Sequence, residues 1–244
     1  MKIPAILKRK KKNSEPHCAA VIVAAGSSRR MGTDKLLAEL EGVPVLARTL
    51  QAFERSPLVD EIVVVTRRDC LEEVAELCHR YEIGKVSKVV CGGATRTESA
   101  LAGVSEVEKK AKLIAIHDGA RPLVTADVIL RTVYAAEEYM AAAPIVPSTD
   151  TLKQVDEKGK VVATLDRDHT VCVQTPQVFR AELIKGALTK AVEQGLTFTD
   201  DCAAAEMMGL RAHTVIGDED NIKLTTPRDM VIAAEILRER GAQA

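Results

Sequence analysis

The sequence predicts a doubly wound α/β layer sandwich: a mostly parallel, Rossmann-like sheet with helices on both faces. Three observations predict it. Short apolar runs rich in Val and Ile recur at residues 20–24, 62–65, 86–90, 113–116 and 142–146. Segments of helical spacing lie between them, at 44–54, 70–80, 96–107 and 127–139. The runs are apolar on both sides instead of alternating, as expected of strands buried between two layers. Strands that alternate with helices need crossover connections, which lay parallel strands side by side and cover the sheet twice.

Residues 1–18 differ in character from the rest of the chain, with Lys8-Arg9-Lys10-Lys11-Lys12 and then Asn13, Ser14 and Pro16. Such a charge run repels itself, so a basic, disordered tail is expected, with residues 19–244 forming one domain. The strand–helix alternation lapses between Thr151 and Val173. There Leu152-Lys153-Gln154-Val155, a turn at Glu157-Lys158-Gly159 and the apolar run 161–165 read as a hairpin, giving a protruding arm at about 148–172. A hairpin of this size cannot bury its own apolar face, so a homodimer built through the arm is expected. Helices at 181–194 and 201–208, a strand at 212–216 and a closing helix at 227–240 complete the chain.

Composition narrows the function. The chain has 244 residues, 46% hydrophobic, with a formal net charge of -1, so no strongly polyanionic partner is expected. Only 2% of residues are aromatic and there is no Trp, which argues against nucleic-acid binding through stacking platforms. The six cysteines show no C-x-x-C spacing, and no apolar run reaches the ~18 residues of a membrane span. A soluble, cytoplasmic protein with reduced thiols is the expectation.

Candidate chemistry gathers at predicted strand ends. The first strand runs into Ala24-Ala25-Gly26-Ser27-Ser28-Arg29-Arg30-Met31, with Lys35 four residues on. Small residues let backbone N–H groups approach phosphate oxygens, and the cations beside them suit a triphosphate. The loop is neither G-x-x-x-x-G-K-[ST] nor G-x-G-x-x-G, and alone it reads first as an ordinary turn. Gly92-Gly93-Ala94-Thr95-Arg96-Thr97-Glu98-Ser99 leads from a strand into a helix, where Thr95 or Thr97 suits a helix cap. His117-Asp118-Gly119-Ala120-Arg121-Pro122 ends the 113–116 run, and Asp118 there serves equally to cap a turn. Gln174-Thr175-Pro176-Gln177-Val178-Phe179 comes after the hairpin, and in Phe198-Thr199-Asp200-Asp201 either Thr199 or Asp200 suits a helix cap. Thr226-Pro227 starts the last helix, which leaves Lys223 in Asn221-Ile222-Lys223 without a structural duty.

Taken in order, these segments resemble the sugar-nucleotidyltransferase superfamily, whose first loop reads roughly A-A-G-x-G-x-R-M followed by a lysine. More narrowly they resemble the 2-C-methyl-D-erythritol 4-phosphate cytidylyltransferase family, and the resemblance runs from Ala19 to the end of the chain. Ser28 stands where many members have a second glycine, Asp34-Lys35-Leu36 where many have Pro-Lys-Gln, and Ala94 where some have aspartate. The resemblance implies transfer of CMP from CTP to a sugar-alcohol phosphate, with Arg30 and Lys35 catalytic. It implies CTP contacts from Ala24, Ala25, Gly26, Ser27, Ser28, Gly93, Arg96, Ser99, Asp118 and Gly119. Asp118 would lie near Mg²⁺ on the triphosphate. Acceptor contacts are implied for Arg121, Thr151, Arg167, Thr175, Thr199 and Lys223, with Thr151 and Arg167 coming from a second subunit. His117 is not needed as a base, because a phosphate monoester is already a nucleophile at neutral pH. A ribitol 5-phosphate cytidylyltransferase is the near alternative. A nicotinamide-dependent oxidoreductase is disfavoured by the missing fingerprint, and a non-catalytic nucleotide-binding domain by the set of cationic residues.

Overall fold

The computed structural model describes residues 17–26 and 36–242. In chain order these form β1 (Cys18–Val23), β2 (Glu39–Leu40), β3 (Val43–Pro44), α1 (Val45–Glu54), β4 (Val59–Thr66), α2 (Leu71–Arg80), β5 (Val86–Cys91), α3 (Arg96–Glu106) and β6 (Leu113–Asp118). After these come α4 (Ala126–Tyr139), β7 (Ala141–Pro147), β8 (Lys153–Val155), β9 (Val161–Thr164), β10 (Val171–Val173), β11 (Gln177–Arg180), α5 (Ala181–Glu193), α6 (Asp201–Met207), β12 (His213–Ile216) and α7 (Pro227–Ala242). Short 3₁₀ turns at Arg68–Cys70 and Arg167–His169 interrupt the loops.

β1 sits between β4 and β6, parallel to both, and β5 continues the sheet beyond β4, also parallel. The chain builds β1, β4 and β5 outward in one direction and then returns through α3 to place β6 on the other side of β1. Strand order therefore reverses at β1, and the crevice beyond the carboxyl ends of β1 and β6 is where such sheets hold ligands. β1 shows why this strand is central. Ala20 and Ile22 pack into one core with α1, α2 and α4, while Ala19 and Val21 pack into the other with α3, α5 and α6. Each Val or Ile side chain fully buried this way contributes roughly 1.5–3 kcal/mol.

The sheet is mixed at its far side. β11 lies antiparallel between β6 and β7. β10 pairs antiparallel with residues 145–147 of β7, and β12 pairs parallel with residues 142–145. Since β12 overlaps the stretches of β7 used by β10 and β11, it occupies the opposite edge, so β10 and β11 run along one edge. Between them lie Gln174, Thr175 and Pro176, with the Thr175–Pro176 peptide cis. The four-residue β11 was not apparent from periodicity, because it is short and begins with a polar residue.

Two expected boundaries shift. Cys18, assigned to the basic tail, is fully buried and opens β1, and His17 before it meets Asp60 Oδ2 at 2.9 Å. The rest of the expected tail, residues 1–16, lies outside the described residues. At the other end of the arm, Val171 and Cys172 belong to the main sheet, since β10 pairs there with β7. The hairpin proper is β8 against β9, a separate two-stranded ribbon. Among the described residues no helix is long and apolar enough to cross a membrane.

Candidate active site

Three loops meet at the carboxyl ends of β1, β5 and β6. Small residues let them approach. A Cβ on Gly92 would fall 2.6 Å from Ala25 Cβ and 2.7 Å from Ser99 Oγ, so only glycine fits there. On the other side the Gly119 N–H donates to Val23 O at 2.9 Å, and its carbonyl accepts from the Thr49 hydroxyl at 2.8 Å. Ala24, Ala25 and Gly26 are thus held between two glycine turns. Ser27, Ser28, Arg30 and Lys35 lie outside the described residues.

The β5–α3 loop closes on itself. Thr95 is the helix cap, its side chain accepting from the Glu98 N–H, and Glu98 Oε2 accepts from the Ala94 N–H at 2.7 Å. Ser99 Oγ accepts from the Gly93 N–H at 3.2 Å and donates to Thr95 O at 2.8 Å. Gly93 and Ser99 are therefore bonded to each other, and the loop's shape is set before any ligand arrives.

A charged cluster forms the floor. Asp118 ends β6, and its Oδ2 lies 2.9 Å from Lys223 Nζ and 3.6 Å from Arg121 Nε. Its Oδ1 lies 3.5 Å from Arg96 Nη2. Burial alone would raise the Asp118 carboxyl, but Lys223, Arg96 and Arg121 hold it well below the usual carboxylate range. Arg96 makes a bidentate pair with Asp201, 2.9 Å to Oδ1 and 2.7 Å to Oδ2. Burial opposes the guanidinium's charge, yet Asp201, Asp118 and Asp200 outweigh it and raise Arg96 above its ordinary value. Bidentate arginine–carboxylate geometry of this kind fixes orientation as well as charge.

A network of buried amides holds the lysine loop. Arg121 Nη1 donates to Asn221 O at 2.6 Å, and Asn221 Nδ2 donates to Thr175 O at 2.9 Å. Gln174 Nε2 donates to Asp218 O at 2.8 Å. Thr175 Oγ1 accepts from the Asp118 N–H at 3.1 Å and lies 3.0 Å from His117 Nδ1. Burial pushes the His117 imidazole down to about 4, so it is neutral at physiological pH. It is fully buried, which also removes it from any role as a general base.

Asp118, Gly119, Arg121, Arg96, Thr175 and Lys223 are thus brought together, although they lie on four separate segments. Thr151 and Arg167 are not, whereas Thr199 stands two residues before Asp201, the partner of Arg96. Arg167 donates from Nε to Ser148 O at 3.3 Å and from Nη2 to Thr149 O, within its own arm. Thr151 and Thr199 are exposed, and α6 is capped by Asp200 through the Ala203 N–H, which settles which of the two neighbours caps that helix. Sequence reasoning missed Asp201 and Gln177 as parts of the site. Gln177 Oε1 accepts from the Asp201 and Cys202 N–H groups, and its Nε2 donates to Asp200 Oδ2. Their sole signal was position, since both sit in segments already singled out.

A mostly parallel sheet whose strand order reverses at β1, with a small-residue loop and buried charges at that crevice, has the architecture of a nucleotide-binding α/β protein. The chain belongs to the 2-C-methyl-D-erythritol 4-phosphate cytidylyltransferase family, whose model it matches over residues 18–239. It is 44% identical over 227 residues to the enzyme of that name from Caldanaerobacter subterraneus, covering 91% of this chain and 99% of that one. It is 42% identical over 230 residues to the one from Geobacter metallireducens, covering 91% and 97%. Among solved structures, the 4-diphosphocytidyl-2C-methyl-D-erythritol synthase of Anaerococcus prevotii superposes with a TM-score of 0.82 at 31% identity, covering 92% of this chain and 97% of that one.

Proposed function

We infer that the Asp118 floor is where this chain runs its family's reaction, and that an arm from a second copy completes the acceptor side. The chain transfers CMP from CTP to 2-C-methyl-D-erythritol 4-phosphate, giving 4-diphosphocytidyl-2-C-methyl-D-erythritol and pyrophosphate for isoprenoid precursor synthesis. A phosphate oxygen of the acceptor attacks the α-phosphorus, and the bond to the leaving pyrophosphate breaks. The nucleophile's second pKa lies near ~6, so it arrives largely deprotonated and needs no base. Catalysis is then positioning and charge stabilisation.

The observation that carries the division of labour is the convergence of Lys223, Arg121 and Arg96 on one ionised carboxylate. On the donor side, residues 24–28 cradle the triphosphate and the Gly93–Ser99 loop frames cytosine and ribose. Arg30 and Lys35 stabilise charge on the α-phosphate and the leaving group. On the acceptor side, Lys223 and Arg121 hold the attacking phosphate, Thr175 and Thr199 line the polyol, and Thr151 and Arg167 reach in from the partner subunit's arm. Support for that dimer comes from Val155, Val161 and Val162, each more than half exposed on the arm. Asp118, ionised and at the strand end, is the residue that would hold a Mg²⁺ ion beside the triphosphate. When bound, such an ion neutralises charge on the triphosphate. A cytoplasmic location is part of this reading; among the described residues no helix is long and apolar enough to cross a membrane.

The reading is tested by pyrophosphate release across CTP and UTP, paired with 2-C-methyl-D-erythritol 4-phosphate and ribitol 5-phosphate, with Mg²⁺ or with chelator. Release with CTP, the methylerythritol phosphate and Mg²⁺ is expected. Release with ribitol 5-phosphate alone would overturn the acceptor, and full activity in chelator would overturn the metal. Lys35→Ala is expected to lower kcat by about 10²–10³-fold; unchanged turnover would remove Lys35 from the mechanism.

A further inference from the structure

His117 is fully buried in β6, one residue before the floor carboxylate, and the reaction gives it no proton to move. Its surroundings nevertheless fix its hydrogens. Nε2 lies 3.2 Å from the Arg121 carbonyl, which can only accept, so Nε2 carries the ring proton. Nδ1 is then bare, and the Thr175 hydroxyl 3.0 Å away must donate to it. The same Thr175 oxygen accepts from the Asp118 N–H at 3.1 Å. The ring's plane is held by Phe53, whose centroid is 4.9 Å away at 57°. Each link allows one direction: Asp118 N–H to Thr175, Thr175 O–H to His117, His117 Nε2–H to Arg121.

The consequence falls on Thr175. A hydroxyl has one proton and two lone pairs. Here the proton and one lone pair are committed inside the protein, so the oxygen retains only the capacity to accept. We propose that His117 is a positioning residue that makes Thr175 an acceptor-only contact, so that this point of the site takes a hydroxyl of the polyol and turns away its phosphate. The phosphate meets no donor at Thr175 and is left to the cations Lys223 and Arg121. The relay thereby gives the substrate a direction, because the two ends of the acceptor differ in whether they can donate. This rests on the reading that Thr175 borders the acceptor.

Two substitutions separate the links. His117→Asn places an amide oxygen near the Nδ1 position and can still accept the Thr175 proton. His117→Gln places its amide near the Nε2 position and leaves Thr175 free to donate. His117→Gln is expected to raise the acceptor KM about 10–100-fold with the CTP KM little changed, and His117→Asn to lose far less. Because both changes are made in the core and can also cost stability, the decisive measurement is a ratio taken within each protein. A panel of acceptor analogues, each lacking one hydroxyl, is compared with the intact acceptor by kcat/KM. The wild-type enzyme is expected to penalise loss of one particular hydroxyl about 10–100-fold, and His117→Gln to erase that penalty. An equal penalty in both would overturn the proposal. So would ¹⁵N spectra of labelled histidine showing the proton on Nδ1. If Thr175→Val keeps the wild-type penalty while the spectra show the Nε2 proton, the relay stands but Thr175 does not border the acceptor, and the specificity role is overturned with it.

Discussion

Arg96 and Arg167 are two arginines assigned to one site, and the fold treats them in opposite ways. Arg96 is clamped in bidentate geometry by Asp201, which is fully buried and itself held by Gln177. Arg167 sits on an exposed arm and bonds two carbonyls of the arm's own base. The first is positioned by contacts that cross 105 residues of sequence, the second by contacts that cross 18 or 19. The difference teaches where the chain is complete. The floor around Asp118 is held together by contacts between distant segments of one chain. Among the described residues, Arg167 instead bonds within the arm, to Ser148 O and Thr149 O.

The sharpest way to break the comparison is to remove the clamp. Asp201→Ala leaves Arg96 as a buried charge without its main partner, at a cost of about 3–5 kcal/mol. A fall in melting temperature on the order of 10 °C is expected by calorimetry. A shift under about 2 °C would mean that the pair is no clamp. Next comes pH. The His117 imidazole binds a proton below about 6.5 when unfolded but only below about 4 when folded. Folding stability is therefore complete above about 6.5, falls as pH drops through this window and levels off below about 4, a loss of about 3 kcal/mol. Urea melts between pH 7 and 4 read it, and His117→Gln should abolish that part of the slope.

A smaller effect is expected at the glycine turn. Gly92→Ala forces a Cβ against Ala25 and Ser99 and costs about 1–3 kcal/mol, together with a raised CTP KM. If the CTP KM stayed at the wild-type value, the squeeze between the two loops would have no bearing on the donor. The smallest expected change in stability is on the arm. Arg167→Ala should alter stability by no more than about 0.5 kcal/mol while raising the acceptor KM. Mixing it with a floor variant such as Lys223→Ala should restore activity in mixed dimers, since one intact site then forms between an intact floor and an intact arm. Failure of that complementation would place both residues on the same subunit's site.

Much of the fold was legible because its signals are local. The runs at 62–65 and 113–116 became β4 and β6, since strands buried on both faces must be apolar throughout. A threonine cap for α3 could be read from its neighbours alone, and the structure decides for Thr95 over Thr97. β11 could not, because Gln177–Arg180 is a strand only by virtue of the gap between β6 and β7 that it fills. The site divides the same way. Asp118 and Arg121 stood out at a strand end, and Lys223 through the absence of any other duty. That Asp201 would reach Arg96, or that Lys223 would meet Asp118, is information about distant pairs, and nothing local encodes it.

The insertion of β11 also makes the main sheet depend on a short segment far along the chain. β6 and β7 are consecutive strands in sequence but are not neighbours; the strand between them arrives only after the arm has been completed. Without residues 177–180, the edges of β6 and β7 around Ile114, Ile116 and Ala142 have no strand between them. Open edges of this kind are templates for pairing with other chains. A chain cut before Gln177 would thus leave two such edges within its main sheet, even with every residue of β6 and β7 present.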